Sequence, residues 1–132
     1  MPHATPDSDG RTSLRDLRAE ELAALGPKVA AVAPIIPELA ATFVYGEVWS
    51  RPQLSQRDRS IATIAALIAT QCPEELRLHV LRGLGNGLSK EELGEIFVQL
   101  VPYVGFPRAV SAAAQVADLV QRADVTPPAG AA

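Results

Sequence analysis

Residues 61–69 (IATIAALIA) are apolar on nearly every side when wound as a helix. A helix of that kind is stable in water only when other elements enclose it. The run is far shorter than the ~20 residues needed to cross a bilayer. The enclosing surface must therefore come from protein, and the small alanines would let neighbouring helices approach closely. A chain of 132 residues favours a single compact domain. It buries a modest fraction of its surface, so self-association would help its stability.

Capping signals divide the rest of the chain into further helices. Ser13, with Asp16 three residues on, starts a first helix that carries Leu14, Leu17, Leu22 and Leu25 and closes at Gly26. A second begins near Pro34 or Pro37 and runs through Leu39, Phe43, Val44 and Val48 towards Arg51 and Pro52. Ser55 caps the third, residues 56–71. Pro73 opens a fourth with Glu74 and Glu75 against its N-terminal dipole, and Gly87 closes it. Ser89 and Glu92 form a capping box for a fifth, which Pro102 interrupts near its end, before Gly105. Pro107 opens a sixth through Val110, Ala113, Val116, Ala117 and Val120. Nowhere does a sustained period-two alternation mark a strand. The expectation is an all-α domain of six helices over residues 13–123, with flexible tails at 1–12 and 124–132.

Charge and composition exclude several classes of function. Twelve Lys and Arg against 15 Asp and Glu leave a net charge of -3, with no basic surplus for a phosphate backbone, so no nucleic acid is expected as a partner. One cysteine, Cys72, rules out an intramolecular disulfide and a CxxC pair. With only His3 and His79 as histidines, no metal site is expected. The polar first residues do not resemble a secretory signal, and no membrane association is expected. A reducing, cytoplasmic setting fits the cysteine count.

Two clusters hold the residue types of acid–base and binding chemistry. On a helix Glu75 and His79 are four apart, Arg82 follows three later, and His79 borders the apolar stripe of Leu76, Val80 and Leu84. An imidazole at an apolar edge, oriented by a carboxylate one turn away, suits proton transfer. The same spacing also suits an ion pair on a solvated face. The second cluster, Tyr45 to Pro52, holds the only Trp, Trp49, with Glu47 and Arg51 four apart. Aromatic surface beside a guanidinium suits a small carboxylate, and equally a helix end packed by Trp49 and stapled by Glu47–Arg51. Arg57 and Arg59 oppose the dipole of the third helix and want a carboxylate partner or a ligand. Cys72 sits among carboxylates that disfavour a thiolate. Gly83, Gly85 and Gly87 read as helix terminators rather than a phosphate loop.

Four blocks in order resemble the carboxymuconolactone decarboxylase family: GEVWSRP at 46–52, LSQRDRSIATIAAL at 54–67, PEELRLHVLRGLGNG at 73–87 and LSKEELGEIFVQLVPYVGFPRAV at 88–110. The resemblance implies an all-helical alkylhydroperoxidase D-like fold and a homo-oligomer, trimer or hexamer. It implies a cofactor-free carboxy-lyase of aromatic-compound catabolism (the β-ketoadipate pathway), which converts 4-carboxymuconolactone to the 3-oxoadipate enol-lactone. It makes His79 the acid–base residue, with Glu75 beside it. The redox branch of that fold has a CxxC pair, of which this chain has Cys72 and, at the second position, Glu75. Ser60 stands where that branch carries a glutamate. Two positions depart from the decarboxylase pattern: Gly85 replaces an asparagine, and Pro102 precedes Tyr103.

The reading is a lyase on a small carboxylated lactone, with His79 as proton shuttle and Glu75 orienting it. Arg51, Arg57 or Arg59 would hold a carboxylate or the lactone oxygen. Tyr45, Glu47, Trp49 and Tyr103 complete the substrate-binding candidates. An isomerase or cyclase step on the same scaffold, and a non-catalytic helical oligomer, are the competing readings.

Overall fold

A computed structural model describes residues 5–7 and 9–125. His3, with residues 1–4 and 8 of the expected N-terminal tail and 126–132 of the C-terminal one, lies outside the described residues. In chain order come β1 (Thr12–Ser13), α1 (Leu14–Val32), α2 (Ile35–Leu39), a π-helix (Ala40–Val48) and α3 (Gln56–Thr70). α4 (Pro73–Gly85), α5 (Lys90–Val104), α6 (Phe106–Arg122) and β2 (Ala123–Asp124) follow. Among the described residues the chain is mostly helical, with six α-helices. No single helix there is long and apolar enough to cross a membrane.

The caps sit where local chemistry dictates. Ser13 Oγ accepts from the Asp16 N–H at 3.1 Å and Ser55 Oγ from Asp58 at 3.0 Å. The Ser89–Glu92 box is closed both ways, at 3.0 and 3.1 Å. Four boundaries differ from the sequence expectation. α1 runs on through Gly26 and Pro27 to Val32, because Gly26 does not adopt the positive φ that would end it. The second expected helix divides into α2 and the π-helix, whose Trp49 N–H reaches back five residues to the Val44 carbonyl at 2.8 Å. α5 passes through Pro102 to Val104. A parallel ladder pairs Thr12 with Ala123 and Ser13 with Asp124, so Thr12 and Asp124, expected in tails, are tied to each other's neighbours. Two-residue strands are too short to leave an alternation.

The body is built around α4, which packs against α1, α3, α5 and α6. Leu76, Val80 and Leu81 of α4 meet Leu17 of α1, Ile64 and Ile68 of α3, Leu93 of α5 and Leu119 of α6, all 0–2% exposed. The apolar third helix is packed along one side only: of residues 61–69, Ile64 and Ile68 are buried and Ala62, Ala66 and Ala69 are exposed, so the enclosure on nearly every side that its composition suggests is not found within the single chain. Gly83 is not a terminator. A Cβ there would lie 2.9 Å from Leu88 Cδ1 and 3.0 Å from Ile64 Cδ1, so glycine lets α4 pass close to α3. Arg77 fastens three helices, bonding Glu21 of α1 and Asp118 of α6, each at 2.7 Å.

Outside this body, α2 and the π-helix form an arm that meets α1 at 119°. No residue of the arm is buried, and Ile35, Ile36, Leu39 and Phe43 are each about half exposed.

Candidate active site

The arm and the turn that follows it each present an aromatic side chain to the body, Tyr45 from the π-helix and the buried Trp49 from the turn. Residues four apart share one face of a helix, so Tyr45 and Trp49 point the same way, their ring centroids 5.8 Å apart. On the body side, Glu75, His79 and Arg82 follow one another at i, i+4 and i+7 along one stripe of α4. The two stripes meet at the imidazole. Trp49 stacks on His79 at 5.8 Å and 23°, and the Tyr45 hydroxyl lies 3.4 Å from His79 Nε2. Glu75 Oε2 lies 3.6 Å from the same nitrogen. The Arg82 guanidinium carbon sits 4.2 Å above the Tyr45 ring, a cation–π contact. His79 is 5% exposed and Trp49 is 9%, so the imidazole is screened from water on most sides.

The charges around it are ordered. The facing His79 donor holds the Glu75 carboxyl below its ordinary range, and the charges of His79 and Arg82 add to this against partial burial. Burial pushes the Tyr45 phenol above its ordinary value, with Arg82 opposing and Glu75 assisting. At neutral pH Glu75 is therefore an anion and Tyr45 keeps its proton. Nδ1 of His79 is buried without a partner, so proton traffic passes through Nε2. That nitrogen faces a carboxylate anion at 3.6 Å and a phenol at 3.4 Å, which can donate to it when it carries no proton and accept from it when it does. Such a group can give a proton to a substrate atom and recover it.

Of the sequence candidates, the fold brings Tyr45, Trp49, Glu75 and His79 together. Arg59 does not join them. Its Nη2 donates to the Arg51 carbonyl at 2.9 Å, and its Nε is buried and unbonded. Gln56, absent from the sequence candidates, donates to the Trp49 carbonyl at 2.5 Å. These two α3 side chains hold the turn that carries Trp49. Arg51 and Glu47 are exposed, and among the described ion pairs none joins them. Arg57 pairs with Glu92. Tyr103, near the end of α5, is 76% exposed and has no described bond or ring contact with the His79 group. Gly85 is exposed with open space where a Cβ would stand, so that departure does not reshape the imidazole's surroundings. Cys72 lines a separate cleft of about 180 Å³ beside Arg108 and Gln115.

Arg82 is the site residue that sequence reasoning noted without assigning. Its signal was the seven-residue interval from Glu75, two helical turns on one face. Among the described residues no group of three or more His, Cys, Asp or Glu side chains is placed to hold a metal ion.

Over 70 residues the chain is 43% identical to the 4-carboxymuconolactone decarboxylase of Acinetobacter baylyi, covering 53% of this chain and 52% of that protein. Over 75 residues it is 32% identical to a nitrosuccinic acid decarboxylase of Metarhizium robertsii, covering 57% and 52%. The chain thus spans about half the length of the curated relatives it matches. The profile of the carboxymuconolactone decarboxylase family matches residues 34–119, which contain the arm, the turn at Trp49 and all of α3, α4 and α5, and on that match the chain belongs to this family.

Proposed function

We propose that the protein is a cofactor-free carboxy-lyase. It removes CO2 from 4-carboxymuconolactone, or a close carboxylated analogue, and yields the 3-oxoadipate enol-lactone. The observation that carries this reading is His79 Nε2, held between the Tyr45 hydroxyl and the Glu75 carboxylate under a lid of indole. Both curated relatives are named decarboxylases, which supports the reaction class.

The reaction breaks one C–C bond, leaves its electron pair in an enolate and releases CO2. His79 Nε2 then supplies a proton to the carbon, and solvent restores it to the imidazole. Glu75 orients the ring and stabilises its protonated form. The face of Trp49 excludes water and gives the departing carboxyl an apolar surface, which favours neutral CO2 over the carboxylate.

A homo-oligomer, trimer or hexamer, on the alkylhydroperoxidase D-like plan belongs to the same proposal. Its contacts would cover the arm and the exposed corner of Tyr103, Phe106 and Val110. A cytoplasmic setting in aromatic-compound catabolism follows from the reading rather than from the geometry. The test is direct assay of CO2 release from 4-carboxymuconolactone by the purified protein and by His79→Ala. Release by the wild type that fails in the variant is the expected result. Equal release by both would remove His79 from the mechanism, and none by either would exclude this substrate.

A further inference from the structure

Five arginines lie between residues 51 and 82, and the bonds they make separate them. Arg57 is paired with Glu92 and Asp58. Arg59 donates to the Arg51 carbonyl. Arg77 is shared by Glu21, Asp118 and the Gln115 carbonyl. Arg51 is exposed, and among the described residues no hydrogen bond or ion pair joins its side chain to the His79 group. Arg82 alone stands over that group, and among the described residues its guanidinium makes no hydrogen bond or ion pair. The Tyr45 ring holds it in place through its π face, at 4.2 Å. That contact uses none of its five N–H donors, which remain available in the planar fork that matches a carboxylate.

We infer that Arg82 anchors the carboxylate that the substrate keeps, and that the site is built for a diacid. This rests on the decarboxylase reading and adds a polarity to it. Glu75, His79 and Arg82 lie along one stripe of α4, with anion and cation seven residues apart. At about 1.5 Å of rise per residue they are separated by roughly 10 Å along the axis. A carboxylate bound by a guanidinium is stabilised as an anion and resists losing CO2. The reacting carboxyl must therefore lie away from Arg82, towards Glu75, whose negative charge favours its departure as neutral CO2. The C–CO2 bond breaks there, the electron pair enters the enolate, and His79 protonates the carbon. The carboxylate on Arg82 leaves with the product unchanged. Nitrosuccinic acid and 4-carboxymuconolactone, the compounds in the names of the two relatives, are both diacids.

The test uses the whole protein and two readouts. With 4-carboxymuconolactone, Arg82→Gln should raise KM about 10- to 100-fold, as expected for losing a charged bidentate contact, and change kcat far less. Arg82→Lys, which restores the charge without the fork, should recover part of the loss. Trp49 is the only tryptophan, so its emission reports directly on binding of the unreactive diacid succinate. Arg82→Gln should weaken that binding by a similar factor. Binding of succinate that depends on Arg82, in a protein that releases no CO2 from 4-carboxymuconolactone, would exclude that substrate and leave the anchor standing. Turnover with an unchanged KM in Arg82→Gln, or succinate binding indifferent to Arg82 or absent from the wild type, would overturn the anchor.

Discussion

α4 and the arm make opposite uses of apolar sequence. In α4 seven of 13 residues are buried, His79 among them. From Ile35 to Val48 none is buried, although the π-helix has the more apolar composition of the two. The candidate acid–base group is thus mounted on a closely packed helix, whereas one of its walls, Tyr45, comes from the least enclosed part of the chain. A thinly packed arm cannot hold Tyr45 and Trp49 by itself. Gln56 and Arg59 compensate by bonding the carbonyls of Trp49 and Arg51. Rigidity is supplied from α4, and enclosure is supplied by side chains borrowed from α3.

The contrast can be broken at its strong end first. Leu81 is fully buried in α4, and Leu81→Ala should cost about 3–4 kcal/mol in urea unfolding. A cost under about 1 kcal/mol would mean that α4 is not the packed centre. Next in size, His79→Ala should lower turnover by roughly 10²-fold or more, about 2.7 kcal/mol in the barrier, with the circular dichroism unchanged.

A smaller effect is expected at Asp118, whose carboxyl Arg77 holds below its ordinary value of 3.8. A depressed carboxyl contributes stability above its unfolded value and loses that contribution as pH falls through its folded one. Asp118 is 55% exposed, so solvent screens the pair. Asp118→Asn should therefore cost at most about 1 kcal/mol at pH 7. The gap between variant and wild type should close as pH drops below 3.8. A gap that persists in acid would place the effect in packing rather than charge.

The weakest effect on the single chain belongs to the arm. Phe43, 55% exposed, should tolerate Phe43→Ser within about 0.5 kcal/mol in dilute solution. If a second copy covers the arm, the wild-type Tm rises with protein concentration and the variant's does not. Identical concentration dependence in the two would leave the arm uncovered.

Legibility followed the range of the interactions. Ser13, Ser55, Pro73 and Ser89 announce helix starts through contacts within four residues, and those starts stand where they were expected. The continuation of α1 past Gly26, the five-residue reach at Trp49 and the pairing of Thr12 with Ala123 depend on the folded surroundings, and no local pattern encodes them. The site divides in the same way. Glu75 and His79 were visible as neighbours on one helix. That Tyr45 would bring its hydroxyl to His79, and that Arg82 would settle on Tyr45, required two elements 34 residues apart to meet. Arg59 looked like a ligand for substrate because a charge at a helix start wants a partner. Its partner is a carbonyl eight residues earlier, across a turn whose shape the sequence does not disclose.

The π-helix carries a consequence for how such a protein can change. Each wide turn takes in one residue more than an α-turn, so the segment behaves as a stored insertion. Removing a single residue between Ala40 and Val44 would let the backbone relax to α-helix, and the narrower turn would offset the missing residue. Tyr45 and the later side chains of the arm would keep close to their present direction towards the imidazole. The same deletion within α4, a regular α-helix, would turn every later side chain by about 100° and break the stripe that carries Glu75, His79 and Arg82. The wide turns thus make the arm the one part of the site that can lose a residue and still present its aromatic side chains.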